Sequence, residues 1–280
     1  MILVDLNQVL LAGLMAQIAN QKGKLDEHLI RHMVLNIIRT HVKNFKADYG
    51  EVVLCCDNRK YWRKEFFPFY KANRKKTRDK SNLDWHLIFD MLAKFKQELK
   101  ENFPYKVLDV EGAEADDIIG TLVPLYAAHE KILILSSDGD FLQLQQYGNN
   151  VKQYNPSQKK YVISENPHLE LKEKVIRGDK GDGIPNMFSP SDCFVRDLRQ
   201  KPITQKVLDK YLKESPEDWN DSDRINYTRN LTLIDLTKIP TEIKEKIINT
   251  YEETKPVKGK LLNYFIEHKL KNLMEVIEEF

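Results

Sequence analysis

The chain has 280 residues, enough for one large domain or two modest ones with a substantial core. At 41% hydrophobic and 31% charged residues, with a formal charge of +2, it has the composition of an ordinary soluble protein. No run of about eighteen apolar residues marks a membrane span. The odd set Cys55, Cys56 and Cys193, with no C-x-x-C, argues against a disulfide framework or a cysteine zinc site and for a reducing cytoplasm.

Ile2, Leu3 and Val4 form a short apolar run that predicts a strand buried on both faces and ending at Asp5. No basic n-region precedes the greasy start, so it reads as core and not as a signal peptide. From Leu25 to Phe45 apolar residues recur at helical spacing, predicting an amphipathic crossover helix. A second buried strand, Val52 to Cys56, ends at Asp57. Strand, helix and strand predict a parallel unit with Asp5 and Asp57 at one edge of the sheet, where open α/β sheets place their sites.

Residues 59–86 break the pattern. From Arg59 to Lys80, ten cations, among them Arg63, Lys71, Arg74, Lys75, Lys76 and Arg78, face only Glu65 and Asp79, with Tyr61, Trp62, Phe66, Phe67, Phe69 and Tyr70 interleaved. A solvated face needs no such rings; cations for phosphates and flat rings for bases suit a single-stranded polynucleotide, although helix packing also uses aromatics. Ser81 and Asp84 predict a capping box for the next helix.

Another apolar run, Tyr105 to Val110, gives way to Glu114-Ala115-Asp116-Asp117 at the start of a helical pattern. Negative charge suits a helix start by itself, because unpaired N–H groups and the dipole are positive there. Ile132 to Leu135 predict a further strand with Asp138 and Asp140 just past its end, residues 151–163 a hairpin, and residues 170–177 a helix. The loop GDKGDGIP follows, holding Asp179, Lys180, Gly181, Asp182 and Gly183. Beyond Pro185 the strand signal fades, and helices are expected near 203–213, 222–236, 240–252 and 258–279. The expected architecture is therefore α/β: a largely parallel central sheet flanked by helices over residues 1–185, then a smaller helical part over 186–280.

Asp5, Asp57, Glu114, Asp116, Asp138, Asp140, Asp179 and Asp182 should converge on one edge. Like charges a few ångströms apart raise each other's pKa steeply, and hard divalent cations relieve that repulsion. Oxygen-only ligation points to Mg²⁺ or Mn²⁺ rather than zinc. Two such ions are a device for phosphodiester cleavage that needs no histidine base. Neither G-x-S-x-G nor G-x-x-x-x-G-K-S/T occurs.

With these residues in view, the chain resembles the 5′-nuclease (flap endonuclease) superfamily, its phage members in particular. The likeness follows VDLNQ, LCCDN, YWRKEFFPFYKANR, EADD, SSDGD and GDKGDGIP in order, then continues more loosely through RNLTLIDL. It implies a PIN-like core and a monomeric enzyme of the host cytoplasm that removes RNA primers and adjacent DNA from lagging-strand fragments and cuts flapped or forked 5′ ends. RNA–DNA hybrid, duplex, flap and fork DNA would be its substrates. By position, the eight acids above match the family's metal ligands for two Mg²⁺, with Asp116 central and Asp117 a second acid of structural role. Arg63, Tyr70, Lys71 and Arg74 match a basic bridge over the site, with Lys75 and Lys76 beside them; Lys71 and Arg63 are the candidates for the scissile phosphate. Lys180, Gly181 and Gly183 match a loop that approaches the duplex backbone.

Two departures bear on this. Many members continue the loop with a glycine-rich run, where this chain has NMFSPSDCFVRDLRQ, so the potassium contact of that run is not carried over. The amino terminus starts almost at the first strand, so a sliding-clamp contact through a leader is expected to be missing or relocated; a phage single-stranded-DNA-binding protein remains an expected partner. The alternatives are a PIN-type ribonuclease, usually shorter and without the 59–86 insertion, and a non-catalytic branched-DNA-binding module, which an intact acid set opposes.

Overall fold

The computed structural model describes residues 1–18, 26–79 and 83–280. Leu25, Lys80 and Ser81, named above for a helix start, the basic run and a capping box, lie outside the described residues. The described chain forms a six-stranded sheet in the order β3-β2-β1-β4-β5-β6. The strands are β1 (Ile2–Asp5), β2 (Val52–Cys56), β3 (Lys106–Asp109), β4 (Ile132–Leu135), β5 (Val151–Asn155) and β6 (Lys160–Val162). The first five are parallel, and β6 folds back antiparallel on β5 with the turn at 156–159, as the hairpin signal required.

Strand alternation sends side chains to two cores. Ile2, Val4, Val52, Leu54, Cys56, Leu133 and Leu135 face α1 (Leu6–Ile18), α2 (Glu27–Tyr49) and α5 (Trp85–Asn102). Leu3, Val53, Cys55, Ile132 and Ile134 face α6 (Ala115–Tyr126). Helix α2 begins where the Asp26 carboxylate accepts from Leu29 N at 2.8 Å and stops at Gly50, whose φ of 81° suits glycine. It buries Ile30, Val34, Ile38, Val42 and Phe45, a stripe of helical period. Asp84 caps α5 by accepting from Leu87 N at 3.0 Å.

Between β2 and α5 lie α3 (Trp62–Phe66) and α4 (Asn73–Asp79); after β6 comes α7 (Pro167–Arg177). Beyond it follow α8 (Gln205–Lys213), α9 (Asp221–Ile234), α10 (Thr241–Glu253), α11 (Leu261–Glu267) and α12 (Lys271–Met274). The helix expected over 258–279 is broken, because Lys269 takes a left-handed φ of 55° between α11 and α12.

The part beyond residue 185 is helical as expected, but it is shared among three cores. Helices α8 and α9 bury Leu208, Tyr227 and Leu233 against Phe67, Tyr70, Val175 and Ile176. Helix α10 lays Ile243, Ile247 and Tyr251 on the sheet face that carries α6. Tyr264, Phe265, Leu273 and Phe280 close the opposite face beside α2 and α5. No helix among the described residues is long and apolar enough to cross a membrane.

Because α10 completes a sheet core, Ile247→Ala should lower the stability of the whole chain by about 2–5 kcal/mol. Urea unfolding should stay a single transition, and a separate early transition confined to the C-terminal helices would contradict this packing.

Candidate functional site

Strand β1 is the point where the sheet order reverses, with β2 on one side and β4 on the other. Crevices for ligands open at such a reversal, beyond the carboxyl ends of the strands. Asp5 ends β1, Asp57 follows β2, Glu114 and Asp116 stand at the start of α6, and Asp138 and Asp140 follow β4. Asp179 and Asp182 arrive on the loop after α7, where Asp182 N donates to Asp179 Oδ1 at 3.1 Å.

The acids divide by their partners. Asp5 is buried, accepting from Ser136 Oγ at 2.9 Å and Gln8 N at 3.3 Å. Burial and the neighbouring Asp57 and Asp138 push its carboxyl up to about 7 against those hydrogen bonds. Burial, with Asp138, Asp5 and Glu114 nearby, also holds Asp116 well above the ordinary range, and Lys71 offsets only part of this. Asp138 is raised by burial and by Asp182 and Asp179, against Lys174 and Lys71. Asp57 takes its hydrogen bonds from Asn7 Nδ2 at 3.1 Å and Ala115 N at 2.9 Å.

The remaining four acids are held by lysines. Lys71 Nζ lies 2.6 Å from Glu114 and 3.7 Å from Asp182. Lys174, on α7, bridges Asp140 and Asp179, the latter at 3.1 Å. Burial would raise the Asp182 carboxyl, but Lys71 and Arg74 outweigh it and leave the group below its usual range. Arg74 reaches Asp182 at 2.5 Å and the Gly181 carbonyl at 3.2 Å. Lys71 itself takes a left-handed φ of 57°, with its N–H donating to the Asp182 carbonyl at 2.7 Å.

Among the described residues, no group of three or more His, Cys, Asp or Glu side chains is arranged to hold a metal ion as it stands. The acids stand at one sheet edge and do not close on a common point. Asp5, Asp116 and Asp138 raise one another's carboxyl groups and form an oxygen-only donor set whose charge Lys71 and Lys174 balance only in part. That set fits a hard divalent cation.

Several residues stand elsewhere than expected. Arg63, expected at the phosphate, is 2% exposed and lies beneath the site. Its guanidinium is 2.7 Å from Asp117 and 3.1 Å from Glu114, and its Nε donates to the Leu233 carbonyl at 2.8 Å. Asp117 also accepts from Glu114 N at 2.8 Å and Trp62 Nε1 at 3.1 Å, fixing the first turn of α6. Tyr70, expected against nucleic acid, is buried, its hydroxyl held between Asp182 at 2.8 Å and Glu114 at 3.1 Å. Of the six interleaved rings, Phe67 and Tyr70 are core and only Phe66 is largely exposed, so packing accounts for most of that aromatic signal. Gly183, expected to admit a phosphate, instead admits the protein's own chain: a Cβ there would sit 3.0 Å from the Phe69 carbonyl and 3.2 Å from Lys71 N. Gly181, Lys180, Lys75 and Lys76 are exposed, Lys76 pairing with Asp197 at 2.7 Å.

A cleft of about 740 Å³ opens beside the acids, lined by Asp57, Glu114, Lys71, Arg74 and Arg78 on one side and by Trp85 and Phe89 on another. The Trp85 and Phe89 rings stack at 5.6 Å, and Arg78 lies over Phe89 at 5.3 Å. Arg78 belongs to the ten cations of the basic run, whereas Lys174 and Phe89 escaped the sequence reading. Phe89 carried a signal, an aromatic one turn beyond Trp85 and off the apolar stripe; Lys174 carried none, since a lysine on an amphipathic helix is ordinary.

Residues 1–175 match the family described as 5′-3′ exonuclease, N-terminal resolvase-like domain. The chain belongs to the 5′-3′ exonuclease family. It is a metal-dependent nuclease by that membership, and residues 165–280 match the C-terminal region described for T4 RNase H. It is 36% identical to the Ribonuclease H of Enterobacteria phage T4 over 291 aligned positions, covering 99% of this chain and 95% of that protein. The fold is similar to that of T5 5′-exonuclease with divalent zinc bound, at a TM-score of 0.61 and 17% identity over 91% of this chain and 99% of that one. It is equally similar to the T5 D15 flap endonuclease in a pseudo-enzyme–product complex with DNA and metal ions, at a TM-score of 0.60 and 17% identity over 90% and 99%.

As a 5′-3′ exonuclease family member with Arg63 as an internal strut, this chain should lose about 3–5 kcal/mol of stability on Arg63→Ala, because Asp117 and Glu114 stay buried without their cation. Urea denaturation measures this, and a loss under about 1 kcal/mol would show that the pair is dispensable to the fold.

Proposed function

We propose that this nuclease is a Mg²⁺-dependent 5′-to-3′ exonuclease and flap endonuclease that removes RNA primers and adjacent DNA from lagging-strand fragments in phage replication. The observation that carries the reading is a cleft lined by two of the strand-edge acids, Asp57 and Glu114, together with Lys71, Arg74 and Arg78, beside Asp5, Asp116 and Asp138, whose carboxyl groups are driven up by burial and by one another. The name of the T4 relative, Ribonuclease H, and the flap endonuclease, DNA and metal ions of the T5 complex support it.

Asp5, Asp57, Asp116 and Asp138 would hold the inner share of two Mg²⁺ or Mn²⁺ ions, with Glu114, Asp140, Asp179 and Asp182 outside them. Bound there, the ions supply an activated water and charge stabilisation at the leaving oxygen. The chain's own residues do the rest. Arg74, Arg78, Lys75 and Lys76 draw the polyanion towards the cleft, and the stacked Trp85 and Phe89 offer faces to unpaired bases. Lys71 turns its ammonium from Glu114 and Asp182 to the scissile phosphate, where charge develops. Lys180 and Gly181 meet the duplex. The products carry a 5′-phosphate and a 3′-hydroxyl. RNA–DNA hybrid, duplex, flap and fork DNA are the substrates, a phage single-stranded-DNA-binding protein and a sliding clamp are the proposed partners, and the enzyme acts as a monomer in the host cytoplasm.

A 5′-labelled flap and an RNA-primed duplex, each incubated with and without Mg²⁺, test the reading: both should be cut only with the metal, and metal-independent cutting refutes it. Asp116→Asn should abolish cleavage while DNA binding persists. Lys71→Ala should slow single-turnover cleavage by about 10²–10³-fold with little change in duplex affinity; equal losses in both would remove Lys71 from the chemistry.

A further inference from the structure

Strand β5 carries buried polar side chains where its neighbours call for apolar ones. Val151 and Gln153 stand beside Ile132 and Ile134 of β4, on the sheet face that packs against α6. Gln153 is 1% exposed, and Asn155, the next residue on that face, is also buried. An amide among aliphatic side chains costs free energy unless its hydrogen bonds are made. Gln153 Nε2 uses both of its N–H groups on backbone, donating to the Ser136 carbonyl at 3.0 Å and the Asp138 carbonyl at 2.6 Å. Its Oε1 has no hydrogen-bond partner among the described residues. The opposite amide orientation would set that oxygen against two carbonyls, so the unpaired acceptor comes with the two donated bonds.

Those bonds grip the turn that follows β4. Ser136, wholly buried, donates its hydroxyl to Asp5 at 2.9 Å and accepts from Asp138 N at 3.0 Å. Ser137 N donates to Gln8 Oε1 of α1 at 3.1 Å, and the Ser137 hydroxyl donates to Asn155 Oδ1 at 2.9 Å. Ser136 N completes the set by donating to the Tyr154 carbonyl at 3.2 Å. Each N–H from Ser136 to Asp138 is thus paired, and two of the three carbonyls are held by one side chain. A segment tied in this way has little room to adjust. It carries Asp138 at one end, and its first hydroxyl holds Asp5.

We propose that Gln153 and Ser136 are positioning residues that hold Asp5 and Asp138 in a fixed relation and so make the acid edge select Mg²⁺ over the larger Ca²⁺. The inference rests on the reading of that edge as a divalent-metal site. Mg²⁺ demands near-octahedral oxygens at about 2.0–2.1 Å, whereas Ca²⁺ accepts irregular ligands at about 2.3–2.6 Å, so a rigid ligand frame favours the smaller ion. Groups behind the ligands set that rigidity. An apolar side chain at 153 would match Ile134 beside it and bury no unpaired oxygen, so packing alone does not account for the amide. Its two bonds to the turn do.

Calorimetric titration of the metal-free full chain with Mg²⁺ and, separately, with Ca²⁺ tests this, counting the binding that Asp116→Asn removes. Gln153→Met keeps the volume and loses both donors. It should weaken Mg²⁺ binding by about 10–100-fold and Ca²⁺ binding by less than about threefold. Ser136→Ala, which frees Asp5 from the turn, should move the ratio of the two affinities the same way, and it decides the matter if Gln153→Met does not fold. Asn150→Leu is the control, because Asn150 Nδ2 also donates to two carbonyls, those of Ala127 and Glu130, at the opposite end of β5. That variant should lower the unfolding temperature and leave both affinities unchanged. An unchanged ratio in either folded variant, or an equal shift in Asn150→Leu, overturns the proposal. A wild-type chain that binds neither ion overturns the metal-site reading itself, whereas one that binds both while the variants keep its ratio sinks only the role of Gln153 and Ser136, so the two failures are distinguishable.

Discussion

Mutual repulsion among carboxylates is the constraint on which this structure depends. Parallel strands deliver their C-terminal residues to one edge whatever their charge, and here those residues are acids. The protein answers with cations of its own, one beneath the edge and two within it. Arg63 neutralises Glu114 and Asp117 from below, Lys71 ties Glu114 to Asp182, and Lys174 ties Asp140 to Asp179. The balance is local and incomplete. Asp5, Asp116 and Asp138 have only partial relief, and burial with mutual charge drives their carboxyl groups upward. A site that compensates most of its charge and leaves a central deficit is one matched to a positive ligand.

The cations also tie distant parts of the chain together. Lys71 comes from the insertion between β2 and α5, Glu114 from the start of α6 and Asp182 from the loop after α7. Arg63 adds the Leu233 carbonyl at the end of α9. Gly178 and Gly183 let the loop after α7 approach closely, since a Cβ at residue 178 would fall 2.4 Å from the Ile184 carbonyl. The insertion, the acid edge and the helical part are therefore one electrostatic unit, and the core shared by Phe67, Val175 and Leu233 packs beneath it.

How much of this was legible follows from the kind of signal each feature leaves. Strands buried on both faces show as unbroken apolar runs, so β1, β2 and β4 and the acids just past them could be read directly. The edge those acids share followed from the parallel strand–helix–strand units, while the order of the sheet left no local signal. The 59–86 insertion was misjudged in part because one composition serves two purposes: Phe67 and Tyr70 pack while Arg74 and Arg78 face the cleft, and no period separates them in so short a segment. Arg63 was assigned to the scissile phosphate from its place in the basic run; arginine is seldom fully buried unless paired, and its partners Asp117 and Leu233 stand far along the chain. Lys174 gave no cue for the same reason. Contacts over long sequence separation, not local propensity, decide what a charged side chain does here.

The choice of cation at each level has a physical logic. The buried position carries arginine, whose planar fork satisfies two carboxylates and a carbonyl at once and whose charge survives burial. Removing it would strand buried charges, so it is fixed for the life of the fold. The positions nearer the cleft carry lysines, compact charges on flexible stems that can give up one carboxylate for another anion without unfolding anything. Lys71 is additionally held at its backbone by a left-handed conformation and a hydrogen bond to Asp182, so its stem pivots from a fixed root. Rigid support below and exchangeable charge above is the arrangement an edge of carboxylates requires if it is to persist without its ligand and still yield to it.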